Sequence, residues 1–252
     1  MSQLLRFLIN GAQKSGTTAL YNYLKIHPSL CLPKDKELHL FDNENRDWTR
    51  ESIKQIDYEI NHHFPNSSYS TLCGEATPVS LFWEKAPERI WRYNPDMKII
   101  SILRNPITRA YSHWNMEYKR GRDNMPFNIS LEQEEKRCRE ALPLQHRVYS
   151  YLSRGFYSSQ IKRLWRFFPR EQTLILRQEE LLNNPQTTLM KICKHLKVDA
   201  IEFPGELNSN SLEYIHLMPL EARKTLARLY KAEIRQLEIL LGWDCSDWLK
   251  IS

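Results

Sequence analysis

Long apolar runs are absent. No stretch of the 252-residue chain approaches the roughly 18 consecutive apolar residues that a membrane-crossing helix needs. The short run Leu4-Leu5-Arg6-Phe7-Leu8-Ile9 passes straight into a glycine-containing loop with no small-residue cleavage site. It reads as a first strand rather than a signal peptide. Cysteine is sparse: Cys31, Cys73, Cys138, Cys193 and Cys245 are odd in number, scattered, and never spaced Cys-x-x-Cys. Neither a zinc ribbon nor a disulfide scaffold is indicated, and reduced thiols in a cytoplasmic protein are expected. There is no internal repeat, no low-complexity tract and no linker composition, even in the longest polar region, about 43–71. One domain over 1–252 is therefore expected. No Asp, Glu or His cluster stands at metal-ligand spacing, since His62 and His63 are adjacent and need not share a face, so no metal is expected.

What is present is ordinary globular material, with 41% hydrophobic and 26% charged residues. That excludes a disordered tail, a collagen-like rod and a coiled coil. The 36 Lys and Arg against 30 Asp and Glu leave a net charge of +6, a mild bias toward anionic ligands. The basic residues are dispersed rather than clustered with aromatic platforms, which argues against nucleic acid as partner.

Strands and helices alternate. Phe7–Asn10, Met97–Leu103 and Gln172–Leu176 read as buried strands. A helix follows the first of these, Thr17–Leu24, stopped by Pro28. A second starts with Asn105 as N-cap and Pro106 at the first helical position, running through Ala110, Tyr111 and Trp114. A third lies near Gln186–Leu196. After Pro219, Ala222, Leu226, Leu229, Leu237 and Leu241 recur at helical spacing, and Gly242 can end that helix. The region 115–165 looks mostly helical. The pattern predicts an α/β fold: a three-layer αβα arrangement around a central parallel sheet.

Between the first strand and first helix lies Gly11-Ala12-Gln13-Lys14-Ser15-Gly16-Thr17-Thr18. Such a turn aims successive backbone N–H groups into one concavity, and the helix N-terminus adds partial positive charge. Gly16 permits close backbone approach, Thr17 and Thr18 offer hydroxyls, and Lys14 supplies a mobile full charge. The loop is P-loop-like but departs from a nucleoside-triphosphate loop. Position 17 carries Thr where that motif needs Lys, and the lysine stands at 14. A P-loop kinase is thereby disfavoured, and a different anion is expected. Arg104 directly follows the strand ending at Leu103, where ligands of open α/β sheets bind, and its planar fork suits a terminal phosphate. Ser112 comes eight residues later, on the helix that starts at Pro106.

These segments together resemble one family. Gln13–Leu20 looks like the 5′-phosphosulfate loop of sulfotransferases, and Arg104–Trp114 like their 3′-phosphate motif. Lys36-Glu37-Leu38-His39-Leu40-Phe41-Asp42 is similar to a segment of the heparan-sulfate-type and bacterial branch. So are Gly74-Glu75-Ala76-Thr77-Pro78, Gly155-Phe156-Tyr157 and Phe168-Pro169-Arg170-Glu171-Gln172. The matches run in order over most of residues 7–197. The resemblance implies 3′-phosphoadenosine 5′-phosphosulfate (PAPS) as donor and the bisphosphate PAP as product. Lys14, Ser15, Gly16, Thr17 and Thr18 would then hold the phosphosulfate, Arg104 and Ser112 the 3′-phosphate, with Tyr157 near the nucleotide. One departure stands out. Many relatives close over the 3′-phosphate with a late basic loop, but residues 198–222 contain no Lys or Arg. Asn208, Ser209, Asn210, Ser211, Tyr214 and His216 offer neutral donors there instead.

Sulfuryl transfer needs a base to take the acceptor proton. Glu37 is the expected base, a position the resemblance also favours, and His39 is the alternative. If the segment is extended, Glu37, His39 and Phe41 face one side, and Asp42 can order the pair. Lys14 would stabilise charge on the departing phosphate oxygen. Acceptor contacts are expected from 37–48, the Trp83 region and 113–149, where Trp48, Trp83, Trp114 and Tyr118 could stack on a ring. The Lys119–Arg122 charge run reads as a solvated face. No membrane anchor or stem is evident, so the expected acceptor is a hydroxyl of a small specialised metabolite, with a glycan or lipid-linked sugar as the second reading.

Overall fold

The computed structural model describes residues 4–64, 71–205 and 213–250. They form two compact units: residues 1–103 with 163–209, and residues 104–162 with 210–252.

The first unit is built on a sheet. In chain order it holds β1 (Leu5–Gly11), α1 (Thr17–Lys25), β2 (Leu30–Cys31), α2 (Arg50–Ile60), β3 (Leu72–Ala76), α3 (Ala86–Tyr93) and β4 (Lys98–Leu103). With β5 (Thr173–Arg177) the strand order is β2-β3-β1-β4-β5, and every pairing is parallel. Ile9 of β1 lies between Ala76 of β3 and Ile100 of β4. Parallel strands need a crossover each, which is why helices flank the sheet. On one face Phe7, Ile9, Ile100, Ile102 and Leu176 pack with Leu20 and Leu24 of α1 and with Leu189 and Ile192 further along the chain. Elsewhere in the unit α2 packs on α3, and Asn94 donates to the carbonyl of Leu5 at 2.9 Å. Gly74 is needed on β3 because a Cβ there would stand 2.4 Å from the Phe7 ring.

The second unit starts with α4 (Pro106–Lys119) and α5 (Phe127–Arg139), then takes in most of α6 (Tyr157–Leu164). The chain next returns to the first unit as β5 (Thr173–Arg177), α7 (Gln178–Asn183) and α8 (Pro185–Leu196). The second unit is completed by α9 (Leu220–Leu241), closed by Gly242 at φ +68°. Asn105 caps α4 as expected, its side chain accepting from the Ile107 N–H at 2.9 Å.

Three differences from the sequence reading are informative. The polar region 43–71 contains α2, whose Ile53, Ile56 and Ile60 are buried at helical spacing and whose N-cap Thr49 accepts from Ser52 N–H. Leu229, expected on the inner stripe of α9, is exposed. β2 and β3 were not foreseen as strands.

Candidate active site

β1 ends at Gly11 and α1 begins at Thr17, so the intervening loop turns within five residues. The Ala12 N–H is anchored to the carbonyl of Ile102 at 2.8 Å, and the Ser15 N–H to that of Ala12 at 3.2 Å. Lys14 at φ +70° and Gly16 at φ +93° both take left-handed backbone. The N-cap Gly16 brings no side chain to the first-turn N–H groups of α1, which leaves them available to an anion. Ser15 is fully buried and its Oγ meets no protein partner. A buried hydroxyl in that state is uncommon and fits a ligand that completes it. Thr17 is buried, Thr18 exposed and Lys14 half-buried.

The second element of the site is the segment after β2. It is not extended: Glu37 has φ +69° and His39 φ +52°. This corrects the expectation that Glu37, His39 and Phe41 share one side. Phe41 is fully buried against Tyr93, whereas the Glu37 and His39 side chains are partly exposed. The left-handed turn still brings the expected pair together. His39 Nε2 stands 3.6 Å from Glu37 Oε2, and His39 Nδ1 stands 2.9 Å from Asp42 Oδ2. A carboxylate can only accept, so Nδ1 carries the proton. Lys36 Nζ holds the other Glu37 oxygen at 2.7 Å.

Neighbouring elements fix this segment. Tyr21 of α1 donates to the carbonyl of Pro33. Arg89 of α3 donates to the carbonyl of Phe41 at 3.0 Å and grips both Glu44 oxygens at 2.8 Å. The Arg89 hydrogen bonds hold the Glu44 carboxyl below its ordinary range. Trp83 Nε1 donates to the same Glu44 at 2.6 Å. Trp83 is thus a core residue spent on structure, as is Trp114, buried and stacked on Tyr111. Trp48 is half-buried under the Arg89 guanidinium at 4.4 Å, and Tyr118 is exposed.

In the second unit, Arg104 donates from Nε to Thr108 Oγ1 at 2.9 Å and from Nη2 to Tyr214 Oη at 3.1 Å. Its backbone is held by Tyr157, whose hydroxyl donates to the Arg104 carbonyl at 2.9 Å. Tyr157 is fully buried, so in this structure it supports Arg104. Ser112 is half-buried on α4. Arg109 is a buried packing residue that donates to the Tyr151 carbonyl. Asn208–Ser211 lie outside the described residues, while Tyr214 stacks on Tyr111 and the His216 carbonyl accepts from Tyr111 Oη at 2.5 Å. Among the described residues no three His, Cys, Asp or Glu gather as a metal site, and no helix is long and apolar enough to cross a membrane.

Residues 5–235 match the family model described as Sulfotransferase domain. The chain belongs to the sulfotransferase family. It is similar to human heparan sulfate glucosamine 3-O-sulfotransferase 5, 26% identical over 206 residues, covering 79% of this chain and 55% of that protein. It is also similar to human bifunctional heparan sulfate N-deacetylase/N-sulfotransferase 3, 32% identical over 205 residues, covering 78% of this chain and 22% of that protein. The chain thus spans about half the length of the first of these relatives, and far less of the second. Among solved structures, a sulfotransferase from Alicyclobacillus acidocaldarius superposes with a TM-score of 0.83 at 28% identity, covering 99% of this chain and all of that one. Mouse sulfotransferase SULT7A1, solved in complex with PAP, shares the fold at a TM-score of 0.53 and 17% identity.

The sulfotransferase domain places Lys14–Thr18, Glu37 and His39 in the first unit, and Arg104, Ser112 and Tyr157 in the second. Three contributors carry no local signal of their role. Tyr214, a neutral donor by sequence, bonds Arg104 across 110 residues. Glu75 and Thr77 lie in a motif whose sequence gives them no role. Thr77 Oγ1 accepts the His39 N–H at 3.2 Å and donates to Glu75 at 2.7 Å.

Proposed function

We propose that this domain transfers a sulfonate group from PAPS to a glucosamine-containing glycan, at a hydroxyl or an amine. The reading is carried by the anchoring of His39 between Asp42 and Glu37 in a family member whose first loop presents uncapped N–H groups and a buried, unpartnered Ser15 hydroxyl. The two relatives named above are, by name, heparan sulfate O- and N-sulfotransferases. They favour the glycan alternative over the small metabolite.

The residues fit the donor. PAPS supplies an electrophilic sulfonate on a phosphate leaving group. The α1 N-terminus, Ser15, Gly16, Thr17 and Thr18 bind its phosphosulfate end, where backbone N–H groups and partial positive charge suit an anion. Arg104 and Ser112 bind the 3′-phosphate. Glu37 takes the acceptor proton, and His39, fixed by Asp42, orients the Glu37 carboxylate. Lys14 stabilises negative charge at the leaving phosphate oxygen. The acceptor loses one proton to Glu37 and gains one sulfonate.

The test is incubation of the protein with PAPS and either unsulfated and N-deacetylated heparan-type oligosaccharides or a panel of small phenols and alcohols, read by mass spectrometry. A gain of one sulfonate on the oligosaccharides is expected. Sulfonation of the small alcohols alone would return the assignment to metabolite chemistry. Thermal stabilisation by PAP but not by ATP–Mg²⁺ is expected, and the reverse would favour a kinase.

A further inference from the structure

Two N–H groups of the base segment are taken by the end of β3 and the residue after it. Glu37 N–H goes to the carbonyl of Ala76 at 3.1 Å and His39 N–H to Thr77 Oγ1 at 3.2 Å. Both Glu75 and Thr77 are fully buried. A left-handed backbone at a non-glycine residue is strained and persists only where its surroundings hold it. Here the base and its imidazole neighbour both sit at such positions.

The Thr77 hydroxyl has one proton and can both donate and accept. An ionised Glu75 can only accept, so it takes that proton at 2.7 Å and leaves a Thr77 lone pair for the His39 N–H. A protonated Glu75 can donate to Thr77 instead, which removes this constraint. The charge on Glu75 therefore sets the direction of the Glu75–Thr77 bond and fixes the Thr77 hydroxyl, while the His39 N–H donates to Thr77 in either case.

We propose that Glu75 is the positioning residue of the catalytic base, its ionised carboxylate templating the 37–39 turn through Thr77 and so aiming Glu37 at the acceptor. This rests on the sulfotransferase reading of the site. Glu75 touches no substrate and acts only through the turn.

The surroundings of Glu75 make this template sensitive to pH. Asp42 and His39 face it from the base segment, and Tyr21 senses it from α1. Burial pushes its carboxyl up to about 7; the Asp42 charge adds to the rise, while the Thr77 hydrogen bond and His39 oppose it. In the unfolded chain the same group titrates near 4.5. Between those values the folded state binds more protons than the unfolded one, so stability falls as pH rises. Alignment of the base is gained over the upper part of that window. Activity and stability thus run in opposite directions with pH, which a merely structural carboxylate would not produce.

The experiment compares Glu75→Gln, Thr77→Val and Thr77→Ser in the full chain. Glu75→Gln is expected to raise Tm at pH 8 and lower kcat by about 10-fold or more, as sub-ångström to ångström misplacement of a reacting group does. It should flatten the acid limb of the kcat profile near pH 7 and leave PAP affinity and acceptor KM unchanged. Thr77→Val should lower kcat similarly, and Thr77→Ser should restore it. Should Glu75→Gln fail to fold, the Thr77 pair carries the test. A joint fall of Tm, PAP affinity and kcat would reduce Glu75 to a structural role. Unchanged kcat with the parental pH profile would overturn the proposal outright. Amide hydrogen exchange needs no acceptor: faster exchange at His39 in Thr77→Val than in Thr77→Ser supports the template even if the acceptor class is wrong, and equal exchange counts against it.

Discussion

His39 Nδ1 lies 2.9 Å from Asp42 Oδ2, and this one bond decides which imidazole nitrogen is left facing Glu37. Asp42 is completely buried, so the bond is shielded from water. Replacing Asp42 by Asn offers an amide that can donate to Nδ1 and so permits the other tautomer. The expected result is a kcat loss of about 10–10²-fold, at the low end of acid–base effects, with donor affinity intact. Steady-state kinetics and PAP titration by calorimetry check both halves; an unchanged kcat would show that the tautomer does not matter.

Glu37→Gln removes the proposed base while keeping the side chain's shape. Turnover should fall by at least about 10²-fold with donor binding retained. Near-normal turnover would move the base role to His39.

Gly16 sits at φ +93°, and a Cβ there would approach Gln178 Nε2 at 3.2 Å. Gly16→Ala should destabilise the domain by about 1–2 kcal/mol from the left-handed backbone alone. It should also weaken PAP binding, because the N–H groups that begin α1 are displaced. Urea unfolding and thermal shift with PAP measure the two effects. Full retention of both would mean that the loop relaxes freely.

Arg104→Ala should weaken PAP by about 10–10²-fold, the worth of a hydrogen bond to a charged group. Binding of adenosine 5′-phosphosulfate, which lacks the 3′-phosphate, should hardly change. Equal losses for both nucleotides would argue that Arg104 shapes the site rather than reading that phosphate. Arg104→Lys should recover only part, since a point charge cannot reproduce a planar fork.

Activity should persist after dialysis against EDTA, because the charged and N–H donors of the first loop are expected to suffice for a sulfonate. Loss restored by Mg²⁺ would place a metal in the reaction.

Elements with local signals were legible. The Asn105–Pro106 start of α4, the Gly242 stop of α9 and the apolar runs of β1, β4 and β5 all depend on residues within a turn or a strand of one another. β3 was not, because Gly74 and Glu75 interrupt any strand pattern. Gly74 is explained only by the Phe7 ring across the sheet, and Glu75 is satisfied by the Thr77 hydroxyl two residues on. β2 is two residues long, too short for periodicity to register.

The amino-acid sequence by itself determined the α/β order, the Gly-containing loop at Lys14–Thr18, the family, and the identities of Glu37, His39, Arg104 and Ser112 as the residues to watch. Only the tertiary structure decided how Glu37 is presented. An extended segment 36–42 would put Glu37 and His39 on one side, yet both adopt left-handed backbone, with their N–H groups taken by Ala76 and Thr77 some 38 positions downstream. Backbone hydrogen bonds of that range leave no periodic trace in the chain. They arise when the sheet puts β3 beside β1, so their consequence for chemistry becomes visible only in the folded molecule.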